Sequence, residues 1–281
     1  MANDLDIFVP KHDFLICVDS DGCAMDTMDV KHYRCFGPCM VDEWGLEEWR
    51  EPILRRWNDV NLYTMTRGVN RFKALAICLD EISRQYTPID DIDSLTLWVE
   101  TSPELSNGAL KQAIAAAPSP CLEKALSWSI AVNASITALP DEAKLPFPMA
   151  KEALAFAHER ADVAIVSSAN LDAVLAEWQE HGLLQHTDIV LSQNAGSKAF
   201  CIGELLKKGY APDHVLMCGD APGDRDAAQK NGVFFYPILV RGEKASWEEF
   251  IAEGFERLLS GSYAGGYQAK KISQFLKNLG A

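Results

Sequence analysis

The stretch that most constrains the fold is 14–27, FLICVDSDGCAMDT. Five apolar residues, Phe14, Leu15, Ile16, Cys17 and Val18, run without a break into Asp19, Asp21 and Gly22. An apolar run of that length, closed by turn formers, is the pattern of a strand buried on both faces, as in parallel sheets covered by helices. Open sheets of this kind take their ligands outside the carboxyl ends of the strands. Two carboxylates two residues apart leave this strand at that end. Side by side they repel, so one is readily kept protonated or bound to a cation. That suits a nucleophile and a general acid/base assembled around Mg²⁺, which prefers hard oxygen ligands. The same four residues, Asp-x-Asp-Gly, also make ordinary turns, in which Asp and Gly satisfy backbone groups. Segments further along the chain weigh between the two.

The chain has 281 residues, of which 48% are hydrophobic, enough for one large domain or two modest ones with full cores. Its 26 basic and 40 acidic residues give a net charge of −14. That argues against nucleic acid or an anionic membrane as a general partner. An anionic small molecule would need a local cluster of positive charge. The first residues are acidic with an apolar run too short for a secretion signal, and no segment has the apolar length of a membrane span. The expectation is a soluble, cytoplasmic protein.

Eight cysteines raise the question of disulfides. Cys17 and Cys218 lie in strand-like runs, and Cys78 and Cys201 lie in helical patterns, positions that suit small buried hydrophobes. Cys35 and Cys39 bracket a Gly-Pro turn, but no second Cys or His pair follows at zinc spacing.

Residues 28–145 read as a helical insert between the first strand and the next α/β unit, dividing the chain into 1–27 with 146–281 and 28–145. Trp44, Leu46, Trp49, Ile53, Leu54 and Trp57 recur near helical spacing, as do Phe72, Leu75, Ala76, Leu79 and Ile82, and a third helical pattern covers about 120–138. The tryptophans fit helix packing better than a ligand box. LWV at 97–99 is too short to decide between helix and strand. The exit, LPDEAKLPFP, carries three prolines, as a hinge does. Within the insert, TRGVNRF at 66–72 sets Arg67 and Arg71 around a Gly-Val-Asn turn that opens a helix. Two arginines near a helix N-terminus make an anion site, although a solvated surface loop reads the same way.

After the hinge the pattern alternates. A helix at about 149–160 leads to VAIVSSAN (163–170), an apolar run ended by Ser167, Ser168 and Asn170. A helix at 171–182 and a short strand at 188–192 follow. Lys198 then sits in the first turn of a helix, where a cation opposes the helix dipole; either an anion compensates it there or it is a surface lysine. VLMCGDAPGDRDAA (215–228) brings another strand into Asp220, with Asp224 at a helix start, and FFYPI (234–238) is a further strand. The remainder is helical, with a Gly-rich break at 261–267. Three buried strands thus end in polar chemistry at one sheet edge.

These segments together resemble the haloacid dehalogenase-like phosphotransferase superfamily. DSDG at 19–22 is similar to its nucleophile motif, Ser167 to the Ser/Thr of its second motif, Lys198 to its third-motif lysine, and GDAPGD at 219–224 to its metal motif. The insert corresponds to a C1-type helical cap, and its GVNR resembles a turn of the β-phosphoglucomutase subgroup. The sequence departs from the pattern at Cys23, where Thr or Val is common, and in the length of the cap. The resemblance implies an α/β fold, a Rossmann-like parallel sheet sandwiched by helices, with an inserted helical cap. It implies a Mg²⁺-dependent phosphatase of a small phosphorylated metabolite. Asp19 would be the nucleophile and Asp21 the general acid/base. Ser167 and Lys198 would bind the phosphoryl oxygens, and Asp19, Asp21 (through its main-chain carbonyl), Asp220 and Asp224 would hold the metal. Ser20, Ser168, Asn170, Arg67, Asn70 and Arg71 are the expected substrate contacts. Alternatives are a β-phosphoglucomutase-like mutase, a phosphonatase using Lys31 or Lys73, and a non-catalytic metabolite-binding protein; Asp21 argues against dehalogenation.

Overall fold

The computed structural model describes residues 4–281, so the first three residues of the 1–27 segment lie outside it. The chain divides into two compact units, Met1–Met28 with Asp141–Ala281, and Asp29–Pro140.

The first unit is built on five parallel strands, β1 (Leu15–Val18), β2 (Asp162–Val166), β3 (Ile189–Leu191), β4 (Val215–Gly219) and β5 (Phe234–Pro237), in the order β3-β2-β1-β4-β5. Every residue of β1, β2 and β4 is buried. That is why their sequences are continuously apolar rather than alternating. The chain builds outward from β1 to β3 on one side, then returns to the other side of β1 with β4. The order therefore reverses at β1, and the crevice between the carboxyl ends of β1 and β4 is where such sheets accept ligands. In register Val18 stands beside Cys218, so Asp19 and Asp220 emerge from neighbouring strands within a residue of each other. Ile16, Val18, Leu216 and Cys218 pack into one core with the helix Ala150–His158, with Trp178 and with Trp247.

The chain leaves and re-enters this unit as a pair of extended segments. Asp26 N donates to Leu145 O at 2.8 Å, and Phe147 N to Ala24 O at 2.9 Å. The proline-rich exit read as a hinge is thus fastened to the residues just after Asp21.

The second unit is helical and has its own core. Asn70 caps the helix Arg71–Gln85, which runs with Pro120–Thr137 beside a cluster of aromatic rings. Trp57 and Trp128 meet edge to face at 5.9 Å, as do Phe72 and Trp98 at 5.2 Å. Trp57 is fully buried, and Trp44 and Trp49 pack on the core's margin. The undecided LWV lies inside the helix Ile92–Thr101. Leu95, three residues before Trp98, is buried with it, a helical spacing that a three-residue window does not reveal. All eight cysteines are free. Among the described residues no helix is long and apolar enough to cross a membrane.

Candidate active site

Three carboxylates and one ammonium converge at the reversal point of the sheet. Asp19, Asp220 and Asp224 are buried, and each offers an oxygen that lies within 4.8 Å of the others. Asp19 and Asp220 are delivered by β1 and β4. Asp224 comes from the first turn of the helix Pro222–Asn231, which Pro222 starts with its preset φ. There its Oδ2 accepts the Ala221 amide at 3.0 Å, satisfying one of the helix's orphan N–H groups.

Lys198, at the start of the helix Lys198–Leu206, reaches across to this cluster. Its Nζ lies 2.7 Å from Asp19 Oδ2 and 2.5 Å from Asp224 Oδ1. The two carboxylates are the local anions that its place against the helix dipole calls for. Burial alone would lower its pKa, but Asp19 and Asp224 outweigh burial and keep it protonated. Burial pushes the Asp19 carboxyl up to about 8, with Asp224 and Asp220 adding to the effect and Lys198 opposing it. Ionised, three carboxylates whose oxygens lie within 4.8 Å of one another repel inside the protein. Such buried repulsion is relieved by a bound cation. The donors are all carboxylate oxygens, which fits a hard divalent ion such as Mg²⁺ rather than zinc.

After Asp19 the backbone coils tightly. Ser20 O accepts from the amides of Cys23, Ala24 and Met25 at 3.3, 3.0 and 2.9 Å, and Gly22 adopts φ 82°, a conformation that favours glycine. Asp21 is half-buried, and Thr27 Oγ1 donates to its Oδ1 at 2.6 Å. Ser167 is buried at the end of β2, and its Oγ accepts the Ala169 amide at 3.1 Å.

The flanking residues divide. Ser168 and Asn170 are exposed. Asn170 Oδ1 accepts the amides of Asp172 and Ala173 and so caps the helix Leu171–Glu180. Ser20, expected to meet substrate, is fully buried instead: Trp178 Nε1 donates to its Oγ at 2.9 Å. That side chain is used inside the fold because the tight turn directs it into the core.

In the helical unit the anion-site expectation meets engaged arginines. Arg67 is buried and donates to Leu62 O at 2.7 Å. Arg71 donates to Ser129 Oγ at 3.1 Å and Asn133 Oδ1 at 2.7 Å, and its guanidinium lies 5.1 Å from the Phe36 ring. Burial lowers its pKa to about 10. Asn70 Oδ1 accepts the Phe72 amide, and Asn70 Nδ2 donates to Leu105 O.

Sequence reasoning passed over Thr27, although it closes the same 14–27 stretch. It also passed over the indole N–H groups of Trp178 and Trp247, the latter donating to Cys23 O at 3.1 Å. An apolar helical face announces buried rings but not where their one polar atom points.

No protein-family model matches this chain, and no curated protein does. Among solved structures it is similar to a haloacid dehalogenase-like family hydrolase from Streptococcus pneumoniae, at 13% identity and a TM-score of 0.44, over 84% of this chain and 90% of that one. It is similar to a predicted phosphoglycolate phosphatase from Haemophilus somnus, at 14% identity and a TM-score of 0.48, over 81% and 86%. A predicted phosphatase from Clostridium acetobutylicum matches at 11% identity and a TM-score of 0.46, over 80% and 83%. At such identities and TM-scores the likeness carries neither an activity nor a substrate to this chain.

Proposed function

We propose that this chain is a Mg²⁺-dependent phosphatase of a small phosphorylated metabolite, working through an aspartyl-phosphate on Asp19. The observation that carries this reading is the buried cluster of Asp19, Asp220 and Asp224 around Lys198 at the reversal point of the sheet.

Asp19 is the nucleophile: a carboxylate oxygen attacks phosphorus as the bond to the leaving oxygen breaks. Its Oδ1 is oriented by the Ser20 amide at 2.8 Å and its Oδ2 by Lys198. Asp21 gives its proton to the departing alkoxide. It then takes a proton from the water that hydrolyses the aspartyl-phosphate, which releases phosphate and restores Asp19. Thr27 fixes the Asp21 carboxyl for both transfers. Lys198 has three N–H donors, of which Asp19 and Asp224 take two; the third is directed to a phosphoryl oxygen. Ser167 supplies another donor to the oxygens on which transition-state charge grows. Asp19, the main-chain carbonyl of Asp21, Asp220 and Asp224 would hold the Mg²⁺. When bound, that ion neutralises phosphoryl charge and lets the anionic nucleophile and the anionic substrate approach. Ser168, exposed just past the end of β2, is the proposed contact to the rest of the substrate.

The test is a screen of sugar phosphates, nucleotides and phosphonates with Mg²⁺ and with EDTA, run beside beryllofluoride trapping. Turnover is expected with Mg²⁺ alone, and the adduct on Asp19 and no other carboxylate. Asp19→Asn, nearly isosteric but not nucleophilic, should fold and lose turnover. Near-wild-type turnover by that variant, or turnover unaffected by EDTA, sinks the mechanism.

A further inference from the structure

We propose that the indole N–H groups of Trp178 and Trp247 hold the loop that carries Asp19, and are positioning residues for the reaction proposed above, on which this inference rests. The juxtaposition is specific. Trp178 Nε1 donates to Ser20 Oγ at 2.9 Å and Trp247 Nε1 to Cys23 O at 3.1 Å. The two anchors therefore lie on either side of Asp21. Ser20 in turn donates its amide to Asp19 Oδ1 at 2.8 Å, so the first contact leads directly to the nucleophile's carboxylate.

These are the only two tryptophans in 1–28 and 141–281. They come from different helices, Leu171–Glu180 and Glu243–Glu249, and both rings are fully buried in the sheet's core. Leu or Phe would supply much of the same apolar volume. What tryptophan adds is a donor that must find a partner when buried, and both donors find it within one four-residue turn. The turn closes on itself through the amides of Cys23, Ala24 and Met25 on Ser20 O and of Gly22 on Met25 O, and Cys23 Sγ reaches Cys218 O on β4. The indoles add side-chain donors from two helices packed against it. Two directional contacts to packed rings fix the turn against the core and preorganise Asp19 and Asp21. Preorganisation of this sort acts on the reacting geometry rather than on substrate affinity.

The experiment uses Trp178→Phe, Trp247→Phe and Ser20→Ala in the full chain. It reads kcat and KM with p-nitrophenyl phosphate and Mg²⁺, and amide hydrogen exchange over 20–25 in metal-free protein. Trp178→Phe keeps a ring in the core and removes the donor. It should lower kcat about tenfold, as a displaced nucleophile does, leave KM within about twofold, and speed exchange at 20–25 but not elsewhere in the sheet. Ser20→Ala should reproduce this, and the double variant should be no worse than either single one, because both remove the same contact. Trp247→Phe should act through Cys23; if it does not fold, the Trp178 and Ser20 pair decides. Unchanged exchange at 20–25, or a double variant whose losses multiply, overturns the proposal. If the wild-type protein turns over no phosphate ester, the phosphatase reading falls, and the exchange measurements alone decide whether the indoles hold the loop.

Discussion

A side chain at position 219 has nowhere to go. Gly219 ends β4, and a Cβ built there would collide with the Cβ, Cγ and Oδ2 of Asp224. That close approach lets Asp224 fold back to its own helix start, accept the Ala221 amide and still reach Lys198. Glycine before Asp220 is thus a packing requirement of the carboxylate cluster. Gly219→Ala should displace Asp224 and loosen Lys198. Overpacking of this kind costs about 1–3 kcal/mol, and kcat should fall more steeply than stability because the displaced groups are those around Asp19. Thermal melts and steady-state kinetics on the same preparation check this; a variant with wild-type kcat would mean that Asp224 tolerates the shift.

The elements around the sheet edge carry their own tests. Asn170 caps the helix Leu171–Glu180 with two amide contacts. Asn170→Ala should cost about 1 kcal/mol of stability and leave KM unchanged; a raised KM with an unshifted melt would return Asn170 to substrate binding. At the opposite ends of the strands, Asp188 precedes β3. It accepts Lys11 Nζ at 2.7 Å, His158 Nε2 at 3.1 Å and the Val163 amide at 2.9 Å. Burial acts to raise its pKa, but those hydrogen bonds outweigh it and hold it below the ordinary carboxylate value. A depressed native pKa stabilises above the unfolded value and is lost as pH falls through the folded one. Asp188→Asn should therefore lower Tm at pH 7, and its gap to the wild type should close below about pH 4; a gap constant with pH removes the charge argument. The strands were legible because burial on both faces leaves an unbroken apolar run, and the carboxylates and Lys198 because they follow strand ends or open helices. The destination of Ser20 was not legible, since a turn with φ > 0 at Gly22 sets which way its neighbours point. Nor were the partners of Arg67 and Arg71, which depend on Leu62, Ser129 and Asn133, the last two about 60 residues away in sequence.

At the scale of the molecule, charge is the governing quantity. A net charge of −14 repels itself, so added salt of any kind should raise the melting temperature by screening. The cluster of Asp19, Asp220 and Asp224 adds a term that screening cannot supply. It is buried, Lys198 pairs with Asp19 and Asp224 in it, and its oxygens are brought together by the fold. An ion that binds the native state and not the unfolded one stabilises by mass action, about 2.7 kcal/mol when present at a hundred times its Kd. For a unit of this size that is a rise of roughly 5–10 °C. Mg²⁺ should therefore raise Tm well beyond NaCl of matched ionic strength, and EDTA should reverse the difference. Asp220→Ala separates the two terms: it should still respond to both salts, but equally. Equal shifts with Mg²⁺ and NaCl in the wild-type protein would mean that the carboxylates hold no divalent ion, and the mechanism built on Asp19 would lose its metal site with them.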